Sequence, residues 1–163
     1  MEQEKHQFVS ILAEYQAIIH KICRAFCPNP DDRQDLFQEI TLHLWRSFST
    51  FKGDSKISTW IYRVSLNVAI AGARKKRPLT EEISSTHSNI PEDDRRQEEE
   101  QIEAMFRVIY SLSDIEKAIT LLYFENKTSG EIAALTGISS ENVRVKLHRI
   151  RDKIRKQLSN YEK

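Results

Sequence analysis

The sequence has little glycine, proline and cysteine, and it has no long apolar run. Four glycines and four prolines in 163 residues leave little of the turn chemistry that β-sheets need, so the composition favours an all-α fold. The chain is expected to be cytoplasmic, because no apolar run approaches the roughly 18 residues that span a membrane and the start MEQEKHQF is no signal peptide. Five scattered histidines, no phosphate loop and no nucleophile constellation argue against an enzyme and give no reason to expect a cofactor.

The two cysteines stand close to a histidine. Cys23 and Cys27 follow His20 at spacings of three and four residues, which places the three side chains on one helical face. A zinc site is one interpretation, although only three ligands are visible and no second cluster follows. Two small buried thiols on an apolar face are the favoured alternative. A structural disulfide is not expected in a cytoplasmic chain.

Two parts of the chain have helical periodicity, and an acidic segment separates them. Residues 1–77 predict three helices, the second from about Asp31 to Phe48 and the third from about Ser58. Residues 78–99 lack a sustained period and are rich in Ser, Pro and acid, which predicts a flexible linker. Residues 100–163 predict four more helices, so two small helical domains are expected. The second helix is predicted to turn Leu36, Ile40, Leu44 and Trp45 inward.

The segment SGEIAALTGISSENVRVKLHRI has the parts of a helix-turn-helix. Thr128 and Glu131 have the spacing of a capping box, and Gly137 can supply a left-handed C-cap. A second helix follows the glycine within the few residues that the motif allows. Its predicted inward stripe consists of Val143, Leu147, Ile150, Ile154 and Leu158.

The opposite face of that second helix carries side chains that suit a DNA major groove. Arginine can bond guanine bidentately, asparagine can read adenine, and an apolar side chain such as Val145 can meet a thymine methyl. The cations further along are expected to hold phosphates. The alternative is an ordinary solvated helix, which the scarcity of acids and the exposed Val145 disfavour. The candidate DNA-facing residues are Asn142, Arg144, Val145, Lys146, His148 and Arg149.

A family resemblance rests on the segment from Asp35 to Pro78, DLFQEITLHLWRSFSTFKGDSKISTWIYRVSLNVAIAGARKKRP. It strongly resembles region 2 of the extracytoplasmic-function (group IV) sigma factors of bacterial RNA polymerase. The helix-turn-helix with VRVKLHRIRDKI resembles their region 4. The resemblance covers roughly residues 8–77 and 100–160, and it implies an all-α protein that directs core polymerase to promoters and initiates transcription. It makes residues 1–77 region 2 and residues 100–163 region 4.

The resemblance also implies roles for individual residues. Asp35, Gln38 and Glu39 would dock on the clamp coiled coil of the polymerase, and the apolar surface of residues 102–124 would meet its flap tip. The helix-turn-helix residues would read the minus-thirty-five element. The implied minus-ten site consists of Ser47, Phe51, Lys52, Gly53, Asp54, Arg63, Val64 and Asn67. The neighbouring Trp60 is predicted to be core rather than a direct stacking partner.

The expected partners are core RNA polymerase, promoter DNA and an anti-sigma factor, with no membrane insertion. The acidic linker would also permit the two domains to pack on each other. A stand-alone helix-turn-helix regulator is the first alternative, but it would normally dimerise, and it leaves DLFQE and STWIYR unexplained. A helical adaptor without DNA contact is the second, and it leaves the basic recognition helix unexplained.

Overall fold

The computed structural model describes residues 1–75 and 94–161, and in these ranges it contains helices and no strand. The predicted all-α fold with two domains is therefore confirmed. The helices are α1 (Glu2–Phe26), α2 (Pro30–Phe48), α3 (Ile57–Lys75), α4 (Asp94–Tyr110), α5 (Asp114–Phe124), α6 (Ser129–Thr136) and α7 (Ser140–Tyr161).

The first three helices form a bundle. The break between α1 and α2 is sharp because Pro28 and Pro30 cannot continue a helix, and the side chain of Asn29 caps α2 by accepting from the backbone N–H of Asp31 at 2.8 Å. Removal of the inward-facing aliphatic side chains from water stabilises the bundle. Its fully buried side chains include Ile19, Ile22, Ile40, Leu44, Ile61 and Leu66.

Trp45 corrects the predicted inner face of α2. Leu36, Ile40 and Leu44 are buried as expected, but Trp45 is 36% exposed. Its ring lies at the edge of the bundle, 5.1 Å from the ring of Phe8 between centroids. A tryptophan can occupy such an edge because one side of its ring packs while the other stays in water.

The last four helices form the second domain, in which α5, α6 and α7 enclose a small core. Ile119, Leu122, Ile132 and Val143 are fully buried there. Two capping boxes begin its inner helices. Ser113 and Glu116 exchange hydrogen bonds at the start of α5, and Thr128 and Glu131 do so at the start of α6.

Two features of this domain differ from the expectations. Leu158 is 42% exposed and lines an open groove with Met105 and Phe124, so the predicted inward stripe ends before it. Helix α4 begins at Asp94, inside the segment predicted as a linker, and residues 76–93 lie outside the described ranges. The division of the chain at 77/78 and 99/100 stays a prediction.

Candidate nucleic-acid interface

The helix-turn-helix consists of α6, a short turn and α7. Gly137 ends α6 with a φ of +80°, and its N–H donates to the carbonyl of Ala133. The Ser139 side chain then accepts from the N–H of Asn142 at 3.2 Å in the first turn of α7. Glycine takes this left-handed backbone without the steric cost that a Cβ brings. The turn therefore fixes the direction in which α7 leaves α6.

Replacement of Gly137 by alanine is expected to destabilise the second domain by about 1–2 kcal/mol, because a Cβ disfavours the left-handed backbone. Gly130→Ala is the matched control: it lies in helical backbone inside α6, and an added Cβ would meet only Thr128 Oγ1, at 3.9 Å. That control should be neutral or stabilising by up to about 1 kcal/mol. Hydrogen exchange of the α6 and α7 amides measures both, and equal effects would contradict the role given to the turn.

The orientation of α7 exposes the face that the sequence assigns to DNA. Val143, Leu147 and Ile150 are buried against α5 and α6, which turns the other side outward. Val145 is 44% exposed, an apolar side chain among cations. Of the six candidates, five are exposed and Lys146 is half-buried: Asn142, Arg144, Val145, Lys146, His148 and Arg149.

Two cations further along α7 are held by the protein itself. Lys153 Nζ donates to both carboxylate oxygens of Glu116, at 2.9 and 3.1 Å. Arg151 donates to the hydroxyl of Tyr123 at 2.8 Å, and its guanidinium lies 5.1 Å from the centre of that ring. The expectation that the later cations hold phosphates stays a prediction, and for these two it competes with contacts to α5.

Glu116 connects the start of α5 to the middle of α7. Its Oε2 accepts from the N–H of Ser113 at 3.0 Å while both oxygens accept from Lys153. Burial alone would raise the pKa of this carboxyl. The hydrogen bonds from Lys153 and Ser113 and the charges of Lys153 and Lys146 outweigh it, so the pKa lies below its ordinary value. The ionised carboxylate therefore stabilises the folded domain.

Glu116→Gln is expected to lower the stability of the second domain at pH 7 by roughly 1 kcal/mol, because the charged partner of Lys153 is lost. Since the folded pKa is lowered, this stability exists above the ordinary value of 4.5 and disappears as the pH falls through the folded pKa. The difference from wild type should thus shrink in acid. Hydrogen exchange of the α5 and α7 amides at pH 7 and pH 4 measures it.

Glu131→Gln is the control, because Glu131 caps α6 in the same way but is exposed and has no ion pair among the contacts of the described residues. It should have a smaller effect that depends little on acid. A pH-independent loss in Glu116→Gln would contradict the role of its charge.

The candidate minus-ten residues lie at the end of α2, in the following loop and on α3. Gly53 has a φ of +75° in this loop, and the Phe51 ring lies 5.0 Å from that of Trp60. Trp60 is 8% exposed, so its predicted place in the core is confirmed. Lys52, Gly53, Asp54, Arg63 and Asn67 are exposed, whereas Ser47, Phe51 and Val64 are half-buried.

The candidate polymerase face lies along α2. Asp35, Gln38 and Glu39 are all exposed, opposite the buried Leu36 and Ile40. The sequence analysis missed Leu42, which is 45% exposed and continues this face at spacings of three and four residues from Glu39 and Gln38. The sequence signal for Leu42 was its spacing of three and four residues from the polar pair Glu39 and Gln38, which places an apolar residue on a polar helix face.

His20 and the two cysteines do not form a cluster. Within the described ranges, no three His, Cys, Asp or Glu side chains are grouped so that they could hold a metal ion. The His20 ring stacks on Phe37 at 4.5 Å. Cys23 is buried as a free thiol, and burial, with a smaller contribution from Cys27, raises its pKa to about 12. Its surroundings therefore favour the interpretation as a core residue.

No described helix combines the length and apolar character that crossing a bilayer requires.

Family comparisons agree with this arrangement. Residues 11–78, which contain most of the first bundle, match Sigma-70 region 2. Residues 107–154, which contain the helix-turn-helix, match Sigma-70 region 4. The relatives include the ECF RNA polymerase sigma factor SigW of Bacillus subtilis, 27% identical over 95% of this chain and 90% of that protein. The chain belongs to the extracytoplasmic-function sigma factors. The family predicted from the sequence is confirmed.

Other relatives of this sigma factor are also similar to it over almost the whole described chain length. RNA polymerase sigma-H factor of Pseudomonas aeruginosa is 28% identical over 95% of this chain and 88% of that protein. Among solved structures, the sigma factor RpoE in complex with the anti-sigma factor NepR from Bartonella quintana has a TM-score of 0.70 and 14% identity, covering 98% of both chains. CnrH in complex with the cytosolic domain of CnrY has a TM-score of 0.69 and 17% identity, over 96% of this chain and 90% of that one. These structures share the fold.

Proposed function

We propose that the two domains of this sigma factor divide promoter recognition between them. The bundle of α1–α3 holds the melted minus-ten element, and α7 reads the minus-thirty-five element. The main support is α7, the second helix of the helix-turn-helix. Its apolar face is buried in the domain, and its cationic face is exposed. A surface of this shape and charge fits the major groove.

The proposed minus-ten site works by trapping bases and catalyses no reaction. A melted strand needs an apolar or aromatic surface, polar groups for base edges and cations for its backbone. Phe51 and Val64 supply the first, Ser47 and Asn67 the second, and Lys52 and Arg63 the third. On this proposal the sigma factor is not an enzyme and needs no cofactor, and it acts in the cytoplasm together with the polymerase.

Docking on core polymerase uses two surfaces in this proposal. The exposed face with Asp35, Gln38 and Glu39 binds the clamp coiled coil. The open groove between α4, α5 and α7 binds the flap tip, because it exposes Met105 and Phe124 side by side with buried aliphatic residues. An exposed apolar groove of this kind marks an interaction site.

An anti-sigma factor is a further proposed partner. The RpoE structure of Bartonella quintana contains one, the anti-sigma factor NepR, and it shares this fold. A protein that covers the exposed groove or the face of α2 would compete with the polymerase.

Reconstitution tests the proposed function. Purified chain is mixed with bacterial core RNA polymerase and a pool of random promoter-length duplexes, and the bound duplexes are sequenced. The expected result is enrichment of two separated elements that depends on core polymerase. Enrichment of one element by the free chain, without any binding to core, would instead indicate a stand-alone regulator.

A further inference from the structure

Tyr123 and Arg151 form an exposed pair between the end of α5 and the middle of α7. The Arg151 guanidinium donates to the Tyr123 hydroxyl at 2.8 Å and lies 5.1 Å from the centre of the ring. Tyr123 is 40% exposed, and Arg151 is exposed as well. The hydrogen bond and the ring contact together hold a long side chain in one orientation at the surface.

This pair keeps its positive charge, unlike the neighbouring contact between the same two helices. Lys153 donates to the Glu116 carboxylate, and the two opposite charges compensate each other. The Tyr123 hydroxyl is neutral, so the charge of Arg151 stays in place. A guanidinium that is held in one orientation and keeps its charge is suited to bind an anion.

Hydrogen-bond donors remain free in the pair. An arginine has five N–H donors, and the described residues accept from Arg151 only through the Tyr123 hydroxyl. That hydroxyl accepts the bond, so its own O–H can still donate to another acceptor. The pair therefore offers several N–H groups and one O–H on the same side, which fits the oxygens of a phosphate group.

The pair lies where a DNA backbone would pass if α7 occupies the major groove. Arg151 follows Arg144 by seven residues and His148 by three, so the three side chains share one side of α7. At about 1.5 Å per residue, Arg151 lies about 10 Å along the helix from Arg144. The major groove is about 12 Å wide, and a recognition helix contacts bases with its first turns. Two turns later, the same side of α7 therefore reaches the phosphates that border the groove.

We propose that Tyr123 and Arg151 together bind one phosphate of the DNA strand beside the minus-thirty-five element. Arg151 supplies the charge, while Tyr123 fixes the guanidinium and donates its O–H to the same phosphate. Such a contact sets the position of α7 in the groove, because phosphate contacts orient a protein on the duplex whereas base contacts read the sequence. It also makes α5, which precedes the helix-turn-helix, part of the DNA-binding surface. This phosphate site rests on the proposed function of α7.

Holoenzyme made from core polymerase and the full chain tests the phosphate site on a duplex that this holoenzyme has selected. Each phosphate near the minus-thirty-five element is replaced, one at a time, by an uncharged methylphosphonate. With the wild-type chain, replacement of one particular phosphate should weaken binding about tenfold, because one charge-assisted contact is lost. Arg151→Ala should weaken binding to the unmodified duplex by about the same factor. The replacement at that phosphate should then have no further effect.

Tyr123→Phe keeps the ring and removes the hydroxyl. It should weaken binding to the unmodified duplex about threefold, and it should reduce the effect of the same methylphosphonate from about tenfold to about threefold. Tyr15→Phe is the matched control, because it removes a hydroxyl from α1 in the first bundle. That control should leave both the affinity and the methylphosphonate effects unchanged.

The double variant with Tyr123→Phe and Arg151→Ala tests whether the two side chains act as one site. It should weaken binding by less than the product of the two single losses, because both changes remove the same contact. Arg155→Ala is the comparison, since Arg155 is an exposed cation four residues further along α7. Its loss should multiply with that of Tyr123→Phe. Hydrogen exchange of the α5 and α7 amides verifies that each variant keeps the domain folded.

Methylphosphonate effects that are the same in wild type, Tyr123→Phe and Arg151→Ala would overturn the phosphate site, as would independent losses in the double variant. A pair that only ties α5 to α7 would lower amide protection and weaken the contacts to all phosphates alike, which would also overturn it. Normal selection of the minus-thirty-five element with either result would contradict the phosphate site alone. A holoenzyme that selects no such element would contradict the proposed function of α7 itself.

Discussion

Glu39→Lys is expected to weaken binding to core RNA polymerase by about two orders of magnitude, because like-charge contacts at an interface cost several kcal/mol. The change reverses the charge at the centre of the exposed face of α2, next to Gln38 and opposite the buried Ile40. A side chain that points into water contributes little to the bundle, so the fold should survive. The dissociation constant for purified core, with circular dichroism of the free chain, measures both effects.

Glu14→Lys is the matched control, since Glu14 is an exposed acid on α1 outside the predicted docking face. It makes the same charge change and should leave the affinity for core nearly unchanged. Equal losses in the two variants would show that net charge matters rather than docking on this face. An unchanged affinity in Glu39→Lys would remove α2 from the interface.

Arg149→Ala should cost about 1–3 kcal/mol of discrimination at one base pair, which is roughly a 5- to 150-fold loss of preference there. Arg149 is exposed on the face of α7 opposite the buried Val143 and Leu147, and no contact within the described protein occupies its guanidinium. It is therefore free for the bidentate bond that reads guanine. Sequencing of the DNA selected by holoenzyme with wild-type and variant chains measures the preference position by position.

Lys156→Ala is the comparison, because Lys156 is an exposed cation further along α7 and outside the candidate readers. It should weaken all sequences alike and leave the selected motif intact. A motif that survives Arg149→Ala unchanged would show that α7 does not read bases through this residue.

The sequence predicted what depends on local chemistry. Apolar spacing of three and four residues marked the helices. Thr128 and Glu131 form the predicted capping box, and Gly137 takes the predicted left-handed backbone. The predicted starts of α2 and α3 differ from the observed starts, Pro30 and Ile57, by about one residue. In these cases a few neighbouring residues decide the structure.

The sequence did not predict what depends on distant parts of the chain. Trp45 and Leu158 continue an apolar stripe, but whether a stripe is covered depends on where the neighbouring helices end. Lys21 of α1 donates a hydrogen bond to the carboxylate of Glu125 at the end of α5, 104 residues away. Both are ordinary surface residue types, so no local pattern pairs them. The domain contact is therefore a finding of the structure alone.

The sequence predicted which face of α7 is exposed, but it did not predict which cations of α7 have partners within the protein. The four later cations of α7 look equivalent in the sequence: Arg151, Lys153, Arg155 and Lys156. Only the packing of α7 against α5 shows that Glu116 holds Lys153 and that Tyr123 holds Arg151. The surroundings of two of these four cations therefore depend on α5, which begins at Asp114, before the helix-turn-helix.

The ion pair between Lys153 and Glu116 is expected to change the ionic-strength dependence of DNA binding. Each phosphate that a cation neutralises releases counterions and adds about −0.9 to the slope of log K against log salt. Lys153 is paired with the Glu116 carboxylate, whereas the Tyr123 hydroxyl leaves the charge of Arg151 in place, so a count of the basic residues in α7 is expected to overstate this slope by about 0.9. Binding by the second domain should then fall less steeply with rising salt than its cation content implies. Its promoter preference would persist over a wider range of ionic conditions inside the cell.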